Sequence, residues 1–311
     1  MPHTDPLSGV FAPVLTPFTP RLAPDRTLFV RFCHWLIGQG VGLAVFGTNS
    51  EANSLSVEEK LDLLAALLDA GIAPERLMPG TGACAIPDAV RLSSAAARAG
   101  TAAALMLPPF YYKGVSEDGV FAYYADVIER VGNQRFRICL YHIPHLSGVA
   151  ITRTLIARLI ARYPKTVVGI KDSGGDFANT RAMLDEFPGF RVFCGSETFL
   201  TETLAHGGAG CISAAANVNP AAILQAFLHA GDSATPTRQT GLNAVRKALE
   251  QAPMIASLKR CVAHYGQAPG FARPRPPLIQ LDDDAWARVS AALDQADFSM
   301  PGLAAALSSN S

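Results

Sequence analysis

Short apolar segments recur along the chain at regular intervals, separated by longer amphipathic stretches. Most of these segments are rich in β-branched residues or glycine, and each spans four to seven positions. That length and composition are typical of strands buried on both faces of a sheet. The pattern predicts eight strands, at Gly9 to Leu15, Gly42 to Gly47, Leu77 to Gly82, Ala103 to Leu107, Arg137 to His142, Val167 to Lys171, Arg191 to Gly195 and Gly210 to Ser213.

The stretches between these segments have helical periodicity and helix end signals. Ser56 and Glu59 have the spacing of a capping box, and Gly71 ends the apolar pattern that follows them. A second helix is predicted between Pro87 and Gly100. Strands therefore alternate with helices, as in the α/β class.

Successive predicted strands begin about 29 residues apart, enough for one strand and a returning helix. This spacing predicts a parallel sheet. An open doubly wound sheet has the same alternation, but no G-x-G-x-x-G follows the first predicted strand. We therefore predict an α/β fold in which the sheet closes into a (β/α)8 TIM barrel.

The chain beyond the eighth segment has a different pattern. Helices are predicted at Thr235 to Gln251, Pro253 to Tyr265 and Asp282 to Leu293, with an extended connection at Pro274 to Pro277. We expect residues 1–232 to form the barrel. Residues 233–311 are then a C-terminal helical extension, packed on the barrel as one structural unit.

Composition narrows the range of partners. The chain is 49% hydrophobic and 17% charged, with 26 acidic residues balancing 26 lysines and arginines. A neutral chain lacks the basic surface typical of nucleic-acid or membrane binders, so a small-molecule partner is expected. The six cysteines are scattered without metal-site spacing, and the N-terminus has no secretory signal pattern. These features predict a cytoplasmic protein without a bound metal.

Lys171 ends the sixth predicted strand, where an apolar segment reaches the mouth of the barrel. Burial lowers the pKa of an amine and favours its neutral form, which attacks ketones. A rim lysine paired with Asp172 fits the same spacing. Tyr141, near the end of the preceding strand, is either a proton relay for imine chemistry or an aromatic filler of the barrel.

The loop after the second predicted strand, Gly47-Thr48-Asn49-Ser50-Glu51, combines hydroxyl groups with a glycine-led turn. Such a loop can hold a carboxylate through its hydroxyl and backbone N–H groups, although similar sequences also form ordinary turns. Taken with Tyr141-His142-Ile143-Pro144 and Gly169-Ile170-Lys171-Asp172, it resembles the dihydrodipicolinate synthase and N-acetylneuraminate lyase family. The resemblance extends from Gly9 to about Leu281.

The three segments match the family patterns G-T-T-G-E, Y-N-x-P and G-x-K-[DE], with Asn49 and Ser50 departing from the first. The resemblance implies that Lys171 forms a Schiff base with pyruvate or a pyruvate-derived 2-oxo acid, without a cofactor. It also implies that Thr48 and Asn49 bind the carboxylate and that Tyr141 transfers protons. The resulting enamine adds to an aldehyde or forms by aldol cleavage. Further residues expected to contact substrate are Gly47, Ser50, Ser173, Glu197, Ile212 and Ser213.

The aromatic segment Pro108 to Tyr112 resembles the family segment whose tyrosine reaches a neighbouring subunit's site. Tyr111 is the better-aligned residue and Tyr112 the alternative. A bare aromatic stretch also favours burial at a subunit contact. We therefore expect a homo-oligomer, either a dimer or a tetramer, in which Tyr111 acts across the interface.

The substrate beyond the oxo acid is less determined. Leu146 stands where the synthases carry an arginine that grips a carboxylate, and no arginine nearby in sequence replaces it. An unspecified 2-oxo-acid aldolase is therefore ranked above 4-hydroxy-tetrahydrodipicolinate synthase. Glu197-Thr198 departs from the acidic pair of sialate lyases, whereas the run from Lys171 to Asp176 is similar to 4-hydroxy-2-oxoglutarate aldolases. A 2-oxo-3-deoxy sugar acid dehydratase and a non-catalytic keto-acid-binding barrel remain alternatives.

Overall fold

The computed structural model describes residues 7–308, which contain one sheet of seven parallel strands. The strands lie in the order β2-β1-β7-β6-β5-β4-β3. Each coincides with a predicted apolar segment, and several are shorter than predicted. Their bounds are β1 Gly9–Ala12, β2 Gly42–Leu43, β3 Ala104–Met106, β4 Ile138–His142, β5 Val167–Asp172, β6 Arg191–Cys194 and β7 Gly210–Ile212.

The segment predicted as the third strand bridges the two ends of this sheet. Leu77 forms a parallel bridge to Leu43 of β2, and Gly80 forms one to Leu105 of β3. Pro79 lies between them and has no N–H to donate to a regular ladder, which explains why only single bridges form. Hydrogen bonds from Met78 N to Leu43 O (2.8 Å) and from Leu105 N to Pro79 O (2.9 Å) complete the closed barrel.

Helices follow the strands as the spacing predicts, and their ends match the capping signals. The Ser56 side chain accepts a hydrogen bond from Glu59 N, and the Glu59 side chain accepts one from Ser56 N. Gly100 ends the third helix with a φ of 77°, a left-handed conformation that glycine adopts without strain. The helices that accompany the barrel are α1 Arg26–Gly38, α2 Val57–Asp69, α3 Ile86–Ala99, α4 Glu117–Val131, α5 Pro144–Ser147, α6 Arg153–Arg162, α7 Phe177–Glu186, α8 Leu200–Ala205 and α9 Pro220–Leu228.

Four further helices form the C-terminal extension, three of them at the predicted positions. They are α10 Thr235–Leu249, α11 Met254–Tyr265, α12 Asp283–Asp294 and α13 Leu303–Ser308. One continuous hydrophobic cluster joins Leu258 and Val262 of α11 to Phe29 and Phe32 of α1 and to Leu43 of the sheet. The extension therefore shares the barrel's core. The boundary at residue 232 stays a prediction.

The barrel interior is filled with side chains that alternate along the strands. A separate buried cluster includes Phe11, Met78, Tyr141, Phe193 and Ile212, each from a different part of the ring. Phe11 and Phe193 meet edge to face with ring centroids 5.9 Å apart. Above these side chains, the carboxyl ends of the strands surround a cavity, which is the usual position of a ligand site in this fold.

Within residues 7–308, no helix has the length and apolar character needed to cross a bilayer. The same residues contain no cluster of three or more histidine, cysteine, aspartate or glutamate side chains placed to hold a metal ion.

Candidate active site

A cavity of about 560 Å³ opens at the carboxyl ends of the strands. This volume lies within the range of small-molecule sites. Five of the residues predicted from the sequence line it: Thr48, Asn49, Tyr141, Lys171 and Ser173. The cavity therefore gathers residues that are more than 120 positions apart in the chain, as the barrel topology requires.

Lys171 lies next to Tyr141 because β4 and β5 are hydrogen-bonded neighbours in parallel register. The lysine is 3% exposed, and its Nζ lies 4.2 Å from the centroid of the Tyr141 ring. Among the described residues, Nζ has neither a hydrogen-bond acceptor nor a carboxylate within 4 Å. The amine is thus buried, faces the cavity and is not committed to a structural ion pair.

Asp172 does not pair with Lys171, in contrast to one of the interpretations of the sequence. Its Oδ1 accepts a hydrogen bond from Gly174 N at 2.9 Å. Its Oδ2 accepts from Asn179 Nδ2 at 3.0 Å and Thr180 Oγ1 at 2.8 Å. The carboxylate therefore holds the turn between β5 and α7, which directs Lys171 towards the cavity.

The Thr48 hydroxyl and the Tyr141 phenol form a hydrogen bond of 3.1 Å. This contact joins the loop after β2 to β4 and places two hydroxyl groups at the wall of the cavity that Lys171 also lines. The backbone N–H groups of Thr48 and Asn49 donate to no acceptor among residues 7–308. Unpaired N–H groups at a cavity wall are suitable donors to a carboxylate.

The loop is held in a strained conformation. Phe46 and Glu51, at its two ends, have φ values of 61° and 58°, which are unfavourable for residues with a side chain. Ser50 stabilises the loop from inside: its Oγ accepts from Gly47 N at 3.2 Å, and its carbonyl accepts from Thr16 Oγ1 at 2.8 Å. Gly47 and Ser50 thus lie behind the cavity wall and shape the loop that carries Thr48 and Asn49.

Three other predicted residues form a buried group behind the wall. Glu197 begins a short 3-10 helix after β6, and Ser213 follows Ile212 at the end of β7. The Ser213 hydroxyl donates to Glu197 Oε2, and Arg246 Nη1 lies 3.6 Å from the same oxygen. Burial raises the pKa of the Glu197 carboxyl, an effect that Arg246 and Ser213 oppose. The three predicted residues do not line the cavity, so their contact with substrate stays a prediction.

Gly195 and Ser173 approach each other closely at the cavity wall. A Cβ added to Gly195 would lie 2.1 Å from Ser173 Oγ and 2.8 Å from Asp172 O. Only glycine fits there without displacing β5. This close approach fixes the position of the Ser173 hydroxyl at the cavity.

The two histidines near the site have different surroundings. His142 Nδ1 accepts a hydrogen bond from Ile151 N at 3.1 Å, and burial lowers the His142 pKa. His145 lines the cavity beside Leu146, which is 59% exposed. His142 therefore has a structural role, and the position of the synthase arginine carries an exposed aliphatic side chain.

Tyr111 lies outside the cavity. It is 73% exposed and Tyr112 is 72% exposed, with the two rings packed edge to face. Within one chain, Tyr111 does not join Tyr141 and Thr48.

Several cavity residues were not among those predicted from the sequence, chiefly residues of the C-terminal extension. Arg246 comes from α10, and Met254 and Ile255 come from α11. No local motif marks these positions, because their helices reach the site only through tertiary packing. The remaining missed residues are mostly apolar and include Phe199, Leu278 and Ile279.

Comparisons with known proteins agree with this geometry. The dihydrodipicolinate synthetase family model matches residues 6–296. A DapA-like lyase of unassigned function from Chloroflexus aurantiacus is 34% identical, covering 92% of this chain and 96% of the relative.

Two crystal structures have the same fold. Dihydrodipicolinate synthase from Agrobacterium tumefaciens superposes with a TM-score of 0.86 and 28% identity, covering 92% of this chain and 98% of that one. YagE, an Escherichia coli K12 prophage protein solved in complex with pyruvate, superposes with a TM-score of 0.84 and 26% identity, covering 94% of this chain and 99% of that one. The chain belongs to the dihydrodipicolinate synthetase family.

Proposed function

We propose that this protein is a class I aldolase or lyase that forms a Schiff base between Lys171 and pyruvate or a pyruvate-derived 2-oxo acid. The observation that carries the proposal is the buried, uncommitted Lys171 amine beside the Tyr141–Thr48 hydrogen bond, in one cavity. The family membership and the pyruvate bound in the YagE structure support the same substrate class.

The reaction follows from the positions of these groups. The carboxylate of the oxo acid accepts hydrogen bonds from the free N–H groups of Thr48 and Asn49, which brings its ketone to Lys171. Nζ attacks the ketone carbon, and loss of water gives a protonated imine. Tyr141 and Thr48 transfer the protons that the addition and the loss of water require.

The imine then acts as an electron sink for carbon–carbon chemistry. Loss of a C3 proton gives an enamine, which attacks an aldehyde; in the reverse direction, cleavage of the C3–C4 bond releases the aldehyde and leaves the same enamine. Neither direction uses a cofactor. Both need a neutral amine and an enclosed site.

Exchange of pyruvate methyl protons in deuterated water tests enamine formation without knowledge of the aldehyde. Wild-type protein should exchange these protons far faster than buffer, and Lys171→Arg should not. Lys165→Arg, at an exposed lysine just before β5, serves as the matched control. Exchange that persists in Lys171→Arg would contradict the proposal, and a non-catalytic keto-acid binder would exchange no faster than buffer.

We further propose that the protein is a cytoplasmic homo-oligomer, a dimer or a tetramer, in which Tyr111 acts at a neighbouring subunit. The exposure of Tyr111 and Tyr112, outside the cavity of their own chain, supports this arrangement.

A further inference from the structure

Arg246 is a cation on the cavity wall whose hydrogen bonds are incomplete. Its Nε bonds Glu250 Oε1 at 2.6 Å, and its side chain is 19% exposed. Nη1 is buried without a hydrogen-bond partner, although Glu197 Oε2 lies 3.6 Å away. Nη2 also makes no hydrogen bond to any of residues 7–308. Four of the five N–H groups of this guanidinium therefore make no hydrogen bond to the described residues.

The contact between Arg246 and Glu197 is poorly suited to a purely structural role. Buried ion pairs normally satisfy their donors and acceptors, because unpaired polar atoms in the interior are costly. Here Glu197 Oε1 and Arg246 Nη1 both lack partners. Arg246 nevertheless lines the cavity, and its Nη2 makes no hydrogen bond to residues 7–308, so this atom can donate to a ligand there.

Outside the proposed oxo-acid site, the cavity lining is largely apolar. Apart from the residues of that site, Asp172 and Arg246 itself, its polar side chains are Ser173, Ser196 and His145, so the hydroxyl groups of a sugar chain would find few partners. An apolar spacer would instead make favourable contacts with the walls. The larger apolar side chains that line the cavity are Ile143, Leu146, Phe199, Met254, Ile255, Leu278 and Ile279.

We propose that Arg246 binds a carboxylate at the end of the substrate far from Lys171. The preferred acceptor is then an aldehyde with an apolar spacer and a terminal carboxylate, and the matching product is a 2-oxo diacid. This inference rests on the proposed Schiff-base function and names its substrate class. The synthases carry a carboxylate-binding arginine at the position of Leu146. Arg246, which lies in α10, would bind the carboxylate in this protein.

Borohydride trapping of product-like oxo acids tests the assignment. The 2-oxoadipate and 2-oxohexanoate anions share one carbon skeleton and differ by the terminal carboxylate. In wild-type protein, the concentration of 2-oxoadipate that half-saturates trapping should be at least roughly tenfold lower than that of 2-oxohexanoate. This difference is expected for a charge-assisted bidentate contact. In Arg246→Gln the two concentrations should converge.

Two further variants separate binding from folding. Arg246→Lys keeps a cation beside Glu197 and should retain an intermediate preference, because lysine lacks the planar fork. Arg238→Gln, on the same helix but paired with Asp232 at 2.6 Å, should keep the full preference.

Two results would overturn the inference with the general mechanism intact: equal trapping of both acids by wild type, or a preference that survives in Arg246→Gln. Failure of wild-type protein to trap even pyruvate would overturn the proposed function itself.

Discussion

Glu51 and Lys259 form an ion pair in which neither side chain exposes any surface. Lys259 Nζ also donates to Thr16 O at 2.8 Å, and Arg275 N donates to Glu51 Oε2 at 2.7 Å. Glu51 ends the loop that carries Thr48 and Asn49, so a helix of the C-terminal extension anchors the proposed carboxylate site. Burial lowers the pKa of Lys259 to about 8, although Glu51 opposes the shift.

Loss of one partner from this pair should be costly. Lys259→Met leaves the buried Glu51 carboxylate without its ion-pair partner, and we expect the free energy of unfolding to fall by about 3–5 kcal/mol. The double variant Glu51→Gln with Lys259→Met should recover part of this loss, because no charge is then buried. Urea unfolding measures both, with Lys247→Met on the exposed face of α10 as control. A loss below about 1 kcal/mol in the single variant would contradict the anchoring role.

Stability should fall in alkaline solution. Burial raises the pKa of the Cys33, Cys139 and Cys261 thiols, that of Cys139 to about 12. The unfolded chain therefore loses thiol protons first, from about pH 8.5, so the stability they contribute is lost as the pH rises. Burial lowers the pKa values of Lys259 and Lys60, which act in the opposite direction, but as two groups against three thiols.

We expect the free energy of unfolding to decrease by a few kcal/mol between about pH 8.5 and 10.5, at roughly 1.4 kcal/mol per thiol and pH unit. Urea titrations under reducing conditions measure the slope. Cys33→Ala should reduce the slope of the unfolding free energy against pH, because it removes a buried thiol. Cys84→Ala, at an exposed cysteine, should leave the slope unchanged. Stability that stays constant or rises over this range would show that the thiols do not control it.

Tyr141→Phe removes the phenol that bonds Thr48 and keeps the ring beside Lys171. We expect the rate of pyruvate proton exchange to fall about 10²–10³-fold, within the usual range for loss of a general acid or base. Half-saturation by pyruvate should change little. Tyr123→Phe, whose hydroxyl bonds Ala83 O at 2.6 Å, is the matched control. Unchanged exchange in Tyr141→Phe would assign proton transfer to another group.

Tyr111 and Tyr112 offer a paired test of the subunit arrangement. If Tyr111 acts in a neighbouring site, Tyr111→Phe should slow exchange at least tenfold, and Tyr112→Phe should not. Light scattering during size-exclusion chromatography should give a mass of at least two chains. A monomer at micromolar concentration would contradict both the assembly and this role of Tyr111.

Much of the barrel is predictable from the sequence because each strand is a compact apolar run and each helix carries its own end signals. The segment Leu77 to Gly82 departs from its prediction as a regular strand. Because Pro79 interrupts the hydrogen-bond ladder, the segment forms only two isolated bridges. The adjacency of Lys171 and Tyr141 follows from chain order in a parallel barrel. Arg246 and Lys259 could not be predicted, because packing of the extension against the barrel, not local sequence, brings them to the site.

Reductive trapping at Lys171 tests the central claim most directly. Incubation with pyruvate and sodium borohydride should reduce the imine to a secondary amine and so add one 1-carboxyethyl group per chain. Peptide mass mapping should place this group on Lys171. Lys171→Arg should gain no mass under the same conditions. Labelling of a different lysine, or no labelling of wild-type protein at saturating pyruvate, would contradict the mechanism.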